Sequence, residues 1–278
     1  MRGLVFGWGL PRDASLYGWR VDWLLGTTSV FVAIMFAVTV AWIGWACLRH
    51  GPAHKAKYDR GSAAPAVTKA LLLSLLIFAV VDGNLLVNGL RDLDDVFWNV
   101  DRAEASPRAV RIEVNAHQWA WDVRYAGPDS TFNTADDILT MNDVRVPVGA
   151  PVVVQLAASD VIHSFALPNF RVKQDAIPGV INRLWFQAKE TGVFDIACAQ
   201  HCGVHHYKMR GQLSVLSPAA FAAWSKQASA LSNRGYDRDD ETAHWGWDWS
   251  RAPHAGTVPG APQPHVTDPA GPARRPEP

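Results

Sequence analysis

Cys198, Cys202, His206 and Met209 fall within twelve residues, CAQHCGVHHYKM (198–209), of a 278-residue chain that has only three cysteines and four methionines. The two cysteines and His206 follow one another at steps of four, and Met209 comes three later. A disulfide between Cys198 and Cys202 is the bland use of such a pair outside the membrane, but it leaves imidazole and thioether without a purpose. Thiolate, imidazole and thioether together select copper. Zinc would be satisfied by the two cysteines and two of the nearby histidines and has no use for the methionine. A mononuclear blue-copper site needs one thiolate, two imidazoles and a weak axial methionine on a β-sandwich, so this loop offers one thiolate too many. Two coppers bridged by both sulfurs, each capped by one imidazole, use all the donors and require a second histidine. His163, in SDVIHSFALP (159–168), lies 35 residues before Cys198 at the end of a β-like run and can supply it. A lone histidine in such a run is ordinarily a packed residue, so position alone does not promote it.

These residues must be held by a β domain. VRIEVNA (110–116) alternates apolar and polar residues with the period of a half-buried strand. Short runs of the same kind follow at VVVQL (152–156), RLWFQA (183–188), VFDIA (193–197) and QLSVL (212–216), separated by Gly149, Gly179, Gly192 and Gly211. Residues 107–217 therefore read as an all-β sandwich or barrel. GPDSTFNTADD (127–137) is rich in acids, yet it lacks the ligand spacing and closing glutamate of an EF-hand and reads as a solvated hairpin.

Ahead of this domain lie two apolar runs. Leu24–Leu48 is 25 residues without a charge, which at ~1.5 Å per residue exceeds a ~30 Å hydrocarbon layer. It is too long, starts too late and lacks the small-residue cleavage site of a signal peptide. Residues 70–90 form a second span interrupted by Asp82, Asn84 and Asn88. The loop between them, 49–69, carries Arg49, Lys55, Lys57, Arg60 and Lys69 against Asp59 alone and is expected in the cytoplasm, with both termini outside. The expected order is an extracytoplasmic segment (1–23), transmembrane helices at 24–48 and 70–90, a linker (91–106), the β domain, a short helix (218–233) and a disordered tail (234–278). The tail's only sticky patch is HWGWDW (244–249). The 26 basic and 26 acidic residues balance, so net charge identifies no partner, and Cys47 stands too far from the other cysteines to suggest a disulfide framework.

The pattern Cys-x-x-x-Cys-x-x-x-His-x-x-Met at 198–209, DVIHS (160–164), KQDAIPG (173–179) and HQWAW (117–121), behind two spans, resembles subunit II of cytochrome c oxidase and its relatives in the haem–copper oxidase superfamily, over residues ~20 to 217. The resemblance implies a helical hairpin followed by a cupredoxin-like sandwich that holds the dinuclear copper centre CuA. Carried over residue by residue, it makes Cys198 and Cys202 bridging ligands, gives one copper each to His163 and His206, and makes Met209 and the main-chain carbonyl of Gln200 weak axial ligands. His201 and His205 have no place in the pattern and are expected at the surface, His205 and His206 facing opposite ways as strand neighbours do. Trp119 matches the tryptophan where electrons enter. Trp119 and Trp121 are expected on one face of a strand, Trp121 in the core, with Asp136, Asp137 and Asp143 steering a basic cytochrome c.

The family usually has a glutamate where Gln200 stands, and that glutamate also holds magnesium; an uncharged amide oxygen leaves magnesium outside the expected sites. The Glu-x-x-Trp-Thr-x-x-Pro pattern of many second spans is absent, so the proton-uptake role of its glutamate is not carried over. Asp82 is either a helix-packing residue or a stand-in for that glutamate. No Cys-x-x-Cys-His is present in the tail, so no fused c-type haem domain is expected.

The implied function is electron acceptance from cytochrome c and delivery to haem in a separate catalytic subunit I, beside other oxidase subunits, for oxygen reduction. The implied location is a bacterial-type inner membrane with the CuA domain on the periplasmic face, and no nucleic acid is among the expected partners. Quinol oxidases share the architecture but lack the copper ligands, and the related CuA domain of nitrous oxide reductase follows a large propeller domain. Two alternatives stand beside this expectation: a CuA subunit of a nitric oxide reductase of the same superfamily, and a membrane-anchored copper-binding or delivery module. The second would need reversible copper release, against the retention that a buried site favours.

Overall fold

The computed structural model describes residues 10–55 and 64–232, with the side chains of 64–66 left aside. The expected disordered tail and its tryptophan patch lie outside the described residues. The chain divides into two compact units, one spanning Trp19–Asp95 and one combining Pro11–Gly18 with the chain from Val96 onward.

The first unit holds helices α1 (Gly18–Arg49) and α2 (Ala64–Asp92), each long and apolar enough to cross a membrane. Both run past the spans expected at 24–48 and 70–90, because the helix continues into flanking residues. Thr28 and Ser29 donate their hydroxyls to the carbonyls of Leu24 and Leu25, at 2.7 and 2.8 Å. Such i−4 bonds let a polar side chain sit in an apolar span without an unmet donor. At the end of the hairpin Arg20 donates to Asp92 at 2.7 Å.

A π-helical turn (Leu93–Phe97) follows α2, and in the second unit the short helix α3 (Val100–Glu104) precedes ten strands among the described residues. They are β1 (Val110–His117), β2 (Ala120–Tyr125), β3 (Ile138–Met141), β4 (Asp143–Pro147), β5 (Pro151–Ala158), β6 (His163–Leu167), β7 (Val172–Ala176), β8 (Asn182–Gln187), β9 (Gly192–Cys198) and β10 (Arg210–Leu216). One sheet has the order β3-β2-β1-β5-β8 and the other β4-β10-β9-β6-β7. Pairs β1–β5 and β4–β10 are parallel and the remaining pairs antiparallel, so the sandwich is a mixed-sheet one. Ile112, Val114 and Ala116 of β1 and Val152, Val154 and Leu156 of β5 point inward against Phe165, Leu167, Ile196 and Leu213 of the other sheet. Alternate positions of a strand share a face, which is why these sets have a period of two.

The sequence period anticipates β1, β5, β8, β9 and β10. It misses β6, whose five residues are all buried, because a strand covered on both faces has no alternation to display. Helix α4 (Pro218–Ser232) lays Trp224 against Tyr125, with ring centroids 5.2 Å apart.

The connection 126–137 joins antiparallel β2 and β3 and is a hairpin loop as expected, but it is not wholly solvated. Asp137 is only 8% exposed and lies 3.9 Å from the buried guanidinium of Arg124, which rules it out as a steering acid at the surface. Arg124 also hydrogen-bonds Asn133 of the same loop. A buried cation draws acceptors inward, and this loop supplies them.

Candidate metal centre

His163 begins β6 and Cys198 ends β9, and these two strands pair antiparallel in the register Phe165↔Cys198. Residues far apart in the chain thereby meet at one end of the second sheet. The loop from Ala199 to Met209 then folds over that end before β10 starts at Arg210. It is held by Ala199 N–H donating to Ser164 O (2.9 Å), Cys198 N–H to Met209 O (3.3 Å) and Met209 N–H to His206 O (3.2 Å). His206–Lys208 form a 3-10 turn, so His205 and His206 diverge through that turn and not through strand alternation as the sequence suggests.

The donor atoms converge. The two Sγ atoms are 3.7 Å apart, and both thiols are free. Cys202 Sγ lies 3.5 Å from His206 Nδ1 and 3.8 Å from Met209 Sδ. His163 Nδ1 is 3.1 Å from Met209 Sδ and 4.0 Å from Cys198 Sγ, and the carbonyl of Gln200 is 3.2 Å from Cys198 Sγ. The candidate ligand atoms of His163, Cys198 and Cys202 all lie within 4.8 Å of one another. His163, Cys202 and Met209 are buried, while Gln200 is exposed. All six candidate ligands from the sequence are therefore in one place, and the set is soft apart from one carbonyl. Such donors fit copper, with zinc next.

The environment separates the two thiols. Burial opposes ionisation of Cys198, but hydrogen bonds to His163 and from the backbone outweigh it and bring the thiol down to about 6. Burial, and then the neighbouring Cys198, push Cys202 up to about 12. The two thiols are thus unequal, Cys198 the readier to ionise, and metal binding displaces the protons that remain.

Three residues that sequence reasoning passed over complete the site. Asp160 Oδ1 accepts from His163 Nε2 at 2.8 Å, which leaves Nδ1 as the lone-pair nitrogen facing the sulfurs. Its other oxygen accepts from Gln118 N–H at 2.7 Å. Gln118 Nε2 in turn donates to Cys202 O at 2.7 Å. Gly203 has φ +118°, and a Cβ there would meet Gln118 Nε2 at 2.8 Å and Trp119 Cζ2 at 3.3 Å, so only glycine lets the ligand loop come this close. The sequence carried a signal for each: Asp160 lies in DVIHS, Gln118 in HQWAW and Gly203 within the ligand loop. The other stretch singled out, KQDAIPG, acts from β7: Asp175 accepts from the hydroxyl of Ser164, next to His163, at 2.6 Å.

Trp119 and Trp121 do not share a strand face. Gln118 and Trp119 form the turn between β1 and β2, so Trp119 leaves the alternation. Its half-buried ring donates Nε1–H to Cys202 O at 3.3 Å and packs edge-on against His205, with centroids 4.5 Å apart. Trp121 is fully buried against Phe165 and near His163. His201 and His205 are exposed, as expected. Of the proposed steering acids, Asp143 is paired with Arg145 at 2.8 Å, and Asp136 accepts from Thr134 Oγ1 at 2.6 Å and Asp129 N–H at 3.1 Å.

Residues 110–215 match the family model described as the periplasmic domain of cytochrome c oxidase subunit II. Among curated proteins, an alternative cytochrome c oxidase subunit 2 of Bradyrhizobium diazoefficiens is 33% identical over 146 residues, 45% of this chain and 53% of that one. The match thus spans about half the length of that relative. Cytochrome c oxidase subunit 2 of Cereibacter sphaeroides is 28% identical over 253 residues, 80% of each chain. The crystal structure of the periplasmic domain of subunit II of cytochrome oxidase from Bradyrhizobium japonicum is 34% identical, covers 44% of this chain and 94% of that one, and superposes with a TM-score of 0.40.

Proposed function

We propose, from the match of residues 110–215 to the family model of the periplasmic domain of cytochrome c oxidase subunit II, that the protein is the electron-receiving CuA subunit of a membrane-bound respiratory oxidase. In this reading it takes electrons from cytochrome c and hands them to haem in a separate catalytic subunit, where oxygen is reduced. The observation that carries the proposal is the convergence of two thiols, two imidazoles and a thioether, with the sulfurs 3.7 Å apart.

Cys198, Cys202, His163 and His206, with Met209 and the Gln200 carbonyl as weaker donors, would hold the copper. When bound, a thiolate-bridged copper pair supplies a one-electron carrier whose charge is shared between two metals. The chain's own residues do the rest. Asp160 fixes the His163 tautomer by accepting from Nε2. Burial of Met209 and Cys202 keeps water from the sulfurs. Trp119 stands half-exposed beside the ligand loop, hydrogen-bonded to the carbonyl of Cys202, and is the group against which cytochrome c docks. The basic loop after α1 supports a β domain on the outer, periplasmic face of a bacterial inner membrane.

The test is copper loading of the detergent-purified chain. Two coppers per chain and a spectrum of one electron shared between two metals are expected, while Cys198→Ser and Cys202→Ser each drop below two, since a hydroxyl does not bridge copper as a thiolate does. Two coppers and an unchanged spectrum in either variant would sink the assignment. Oxygen against nitric oxide consumption by the purified complex identifies the acceptor.

A further inference from the structure

A buried metal site needs a way in. His163, Cys202 and Met209 are 0%, 3% and 1% exposed, so an ion arriving from solvent meets other residues first. Two sides of the centre are closed. On the side of the β1–β2 turn, Gln118 Nε2 and Trp119 Nε1 both donate to Cys202 O, at 2.7 and 3.3 Å, and Trp119 packs edge-on against His205. On the side of β6, Asp160 accepts from His163 Nε2 at 2.8 Å, and the Trp121 ring lies 6.1 Å from the imidazole. What is left is the stretch from Cys198 to His201 together with His206. Cys198 and His206 are half-buried there, and Gln200 and His201 are exposed.

His201 stands between the two cysteines in the chain and has no place among the six candidate ligands. Its ring lies 5.5 Å from that of His206, centroid to centroid, and His206 presents Nδ1 to Cys202 Sγ at 3.5 Å. Among the described residues the side chain of His201 makes no hydrogen bond or ion pair, so a ring nitrogen is available to an ion. The series His201, His206, Cys202 thus leads from an exposed imidazole through a half-buried one to a buried thiol. His205 is the contrast. It is as exposed as His201 and next to His206 in sequence, but it precedes the 3-10 turn His206–Lys208 and its ring lies against Trp119, 4.5 Å away.

We propose that His201 is a loading ligand: it takes Cu(I) from the carrier that brings it, passes it to His206 and Cys198, and lets go once the buried donors have closed on the ion. The inference rests on the functional reading above, which makes copper the metal. Imidazole and thiolate both suit copper, so each bond to the carrier is replaced before the ion is free. The exchange moves no electron. Bonds from copper to the carrier's donors break, bonds to His201 and then to His206 and the sulfurs form, and the thiol protons leave to the buffer. His201 is absent from the finished ligand set and acts on the rate of filling alone.

The experiment uses the detergent-purified full chain, stripped of metal and reduced, under argon. Cu(I) is offered as its coloured complex with the chelator ferrozine; loss of the colour gives the transfer rate, and copper per chain after dialysis gives the end point. His201→Ala is expected to fill about tenfold more slowly than wild type and to reach the same end point. His205→Ala is expected to match wild type in both, and His201→Met, which keeps a soft donor, to recover most of the rate. A wild-type rate in His201→Ala overturns the loading role. Equal slowing in His201→Ala and His205→Ala overturns it in favour of a general effect of surface imidazoles. A His201→Met rate as low as that of His201→Ala overturns it in favour of ring packing against His206, and a lower end point in His201→Ala overturns it in favour of a permanent ligand. If wild type takes up no copper even from Cu(I) in acetonitrile, the functional reading fails, and the loading role fails with it.

Discussion

Trp119 is the residue on which electron acceptance is expected to turn, since it is both half-exposed and hydrogen-bonded to the ligand loop. Trp119→Ala should leave the copper spectrum in place, because no ligand atom is lost, and should slow reduction by cytochrome c by orders of magnitude in stopped-flow mixing. Wild-type rates would make Trp119 a packing residue only. Glu113 makes a different kind of claim. Its side chain is fully buried and neither oxygen receives a hydrogen bond, although Arg124 approaches to 3.6 Å. The ion-pair distance argues for an ionised carboxylate and the burial against it; burial wins, lifting Glu113 from 4.5 to about 8, ahead of the opposing pull of Arg124. Asp137 is likewise raised by burial, to about 6. At neutral pH one buried proton on Glu113 and one charge on Asp137 then balance Arg124. A carboxyl whose folded value lies above its unfolded one contributes stability that is complete below the unfolded value and is lost as pH rises through the folded one. Resistance to denaturant should therefore fall across the window from 4.5 to about 8, by a few kcal/mol at most. Glu113→Gln should flatten that fall, and an unchanged pH profile in this variant would count against a protonated Glu113.

Two small elements brace the sandwich where the sequence shows only linkers. Helix α3 sets Val100 and Ala103 over Val153, with Trp185 alongside donating Nε1–H to Val96 O at 2.6 Å. Arg183 pairs with Asp101 at 2.8 Å and with Glu104, its side chain only 7% exposed, so these pairs are better shielded than ordinary surface ones. The segment Pro11–Gly18 adds a second brace: Ala14 is fully buried, its N–H donates to Asn169 O, and its carbonyl accepts from Lys189 N–H. A fragment that starts at 107 loses both braces, whereas one that starts at Val96 keeps α3. The shorter fragment should melt lower, by about 10 °C. Copper stoichiometry should be equal in the two, because the ligands lie on β6 and the β9–β10 loop. Equal melting temperatures would show that α3 contributes nothing to the fold.

At the scale of the whole molecule, charge asymmetry sets the orientation. Cys47 is exposed in the last turns of α1, just before the basic loop that begins at Arg49. If that loop is cytoplasmic, a membrane-impermeant maleimide should fail to label Cys47 in intact spheroplasts and should label it in inverted vesicles. Cys198 and Cys202 are replaced by serine so that Cys47 alone reports. Labelling in spheroplasts would reverse the topology and put the β domain on the wrong side for a soluble donor.

The sequence by itself determined what depends on neighbours along the chain. Cys198, Cys202, His206 and Met209 are legible as a set because five of the six candidate ligands, Gln200 included, fall within residues 198–209, and the spans are legible because hydropathy needs no partner. Strand β1 shows itself through a period of two in VRIEVNA, and β5 through a short apolar run bounded by a turn. What depends on pairing was left to the tertiary structure. His163, a candidate ligand in the sequence through the family resemblance, reaches the cysteines only because β6 aligns with β9 in the register Phe165↔Cys198. Trp119 parts from Trp121 because the chain turns between β1 and β2, and spacing alone cannot place a turn to the residue. Asp137 and Glu113 read as surface charges until a hairpin loop closes over Arg124. Asp160 and Gly203 act across 40 or more residues on Gln118 and Trp119, by a hydrogen bond and by a missing Cβ. Contacts of that kind exist only after the sandwich has closed, because the free energy that holds them comes from burying two sheets together.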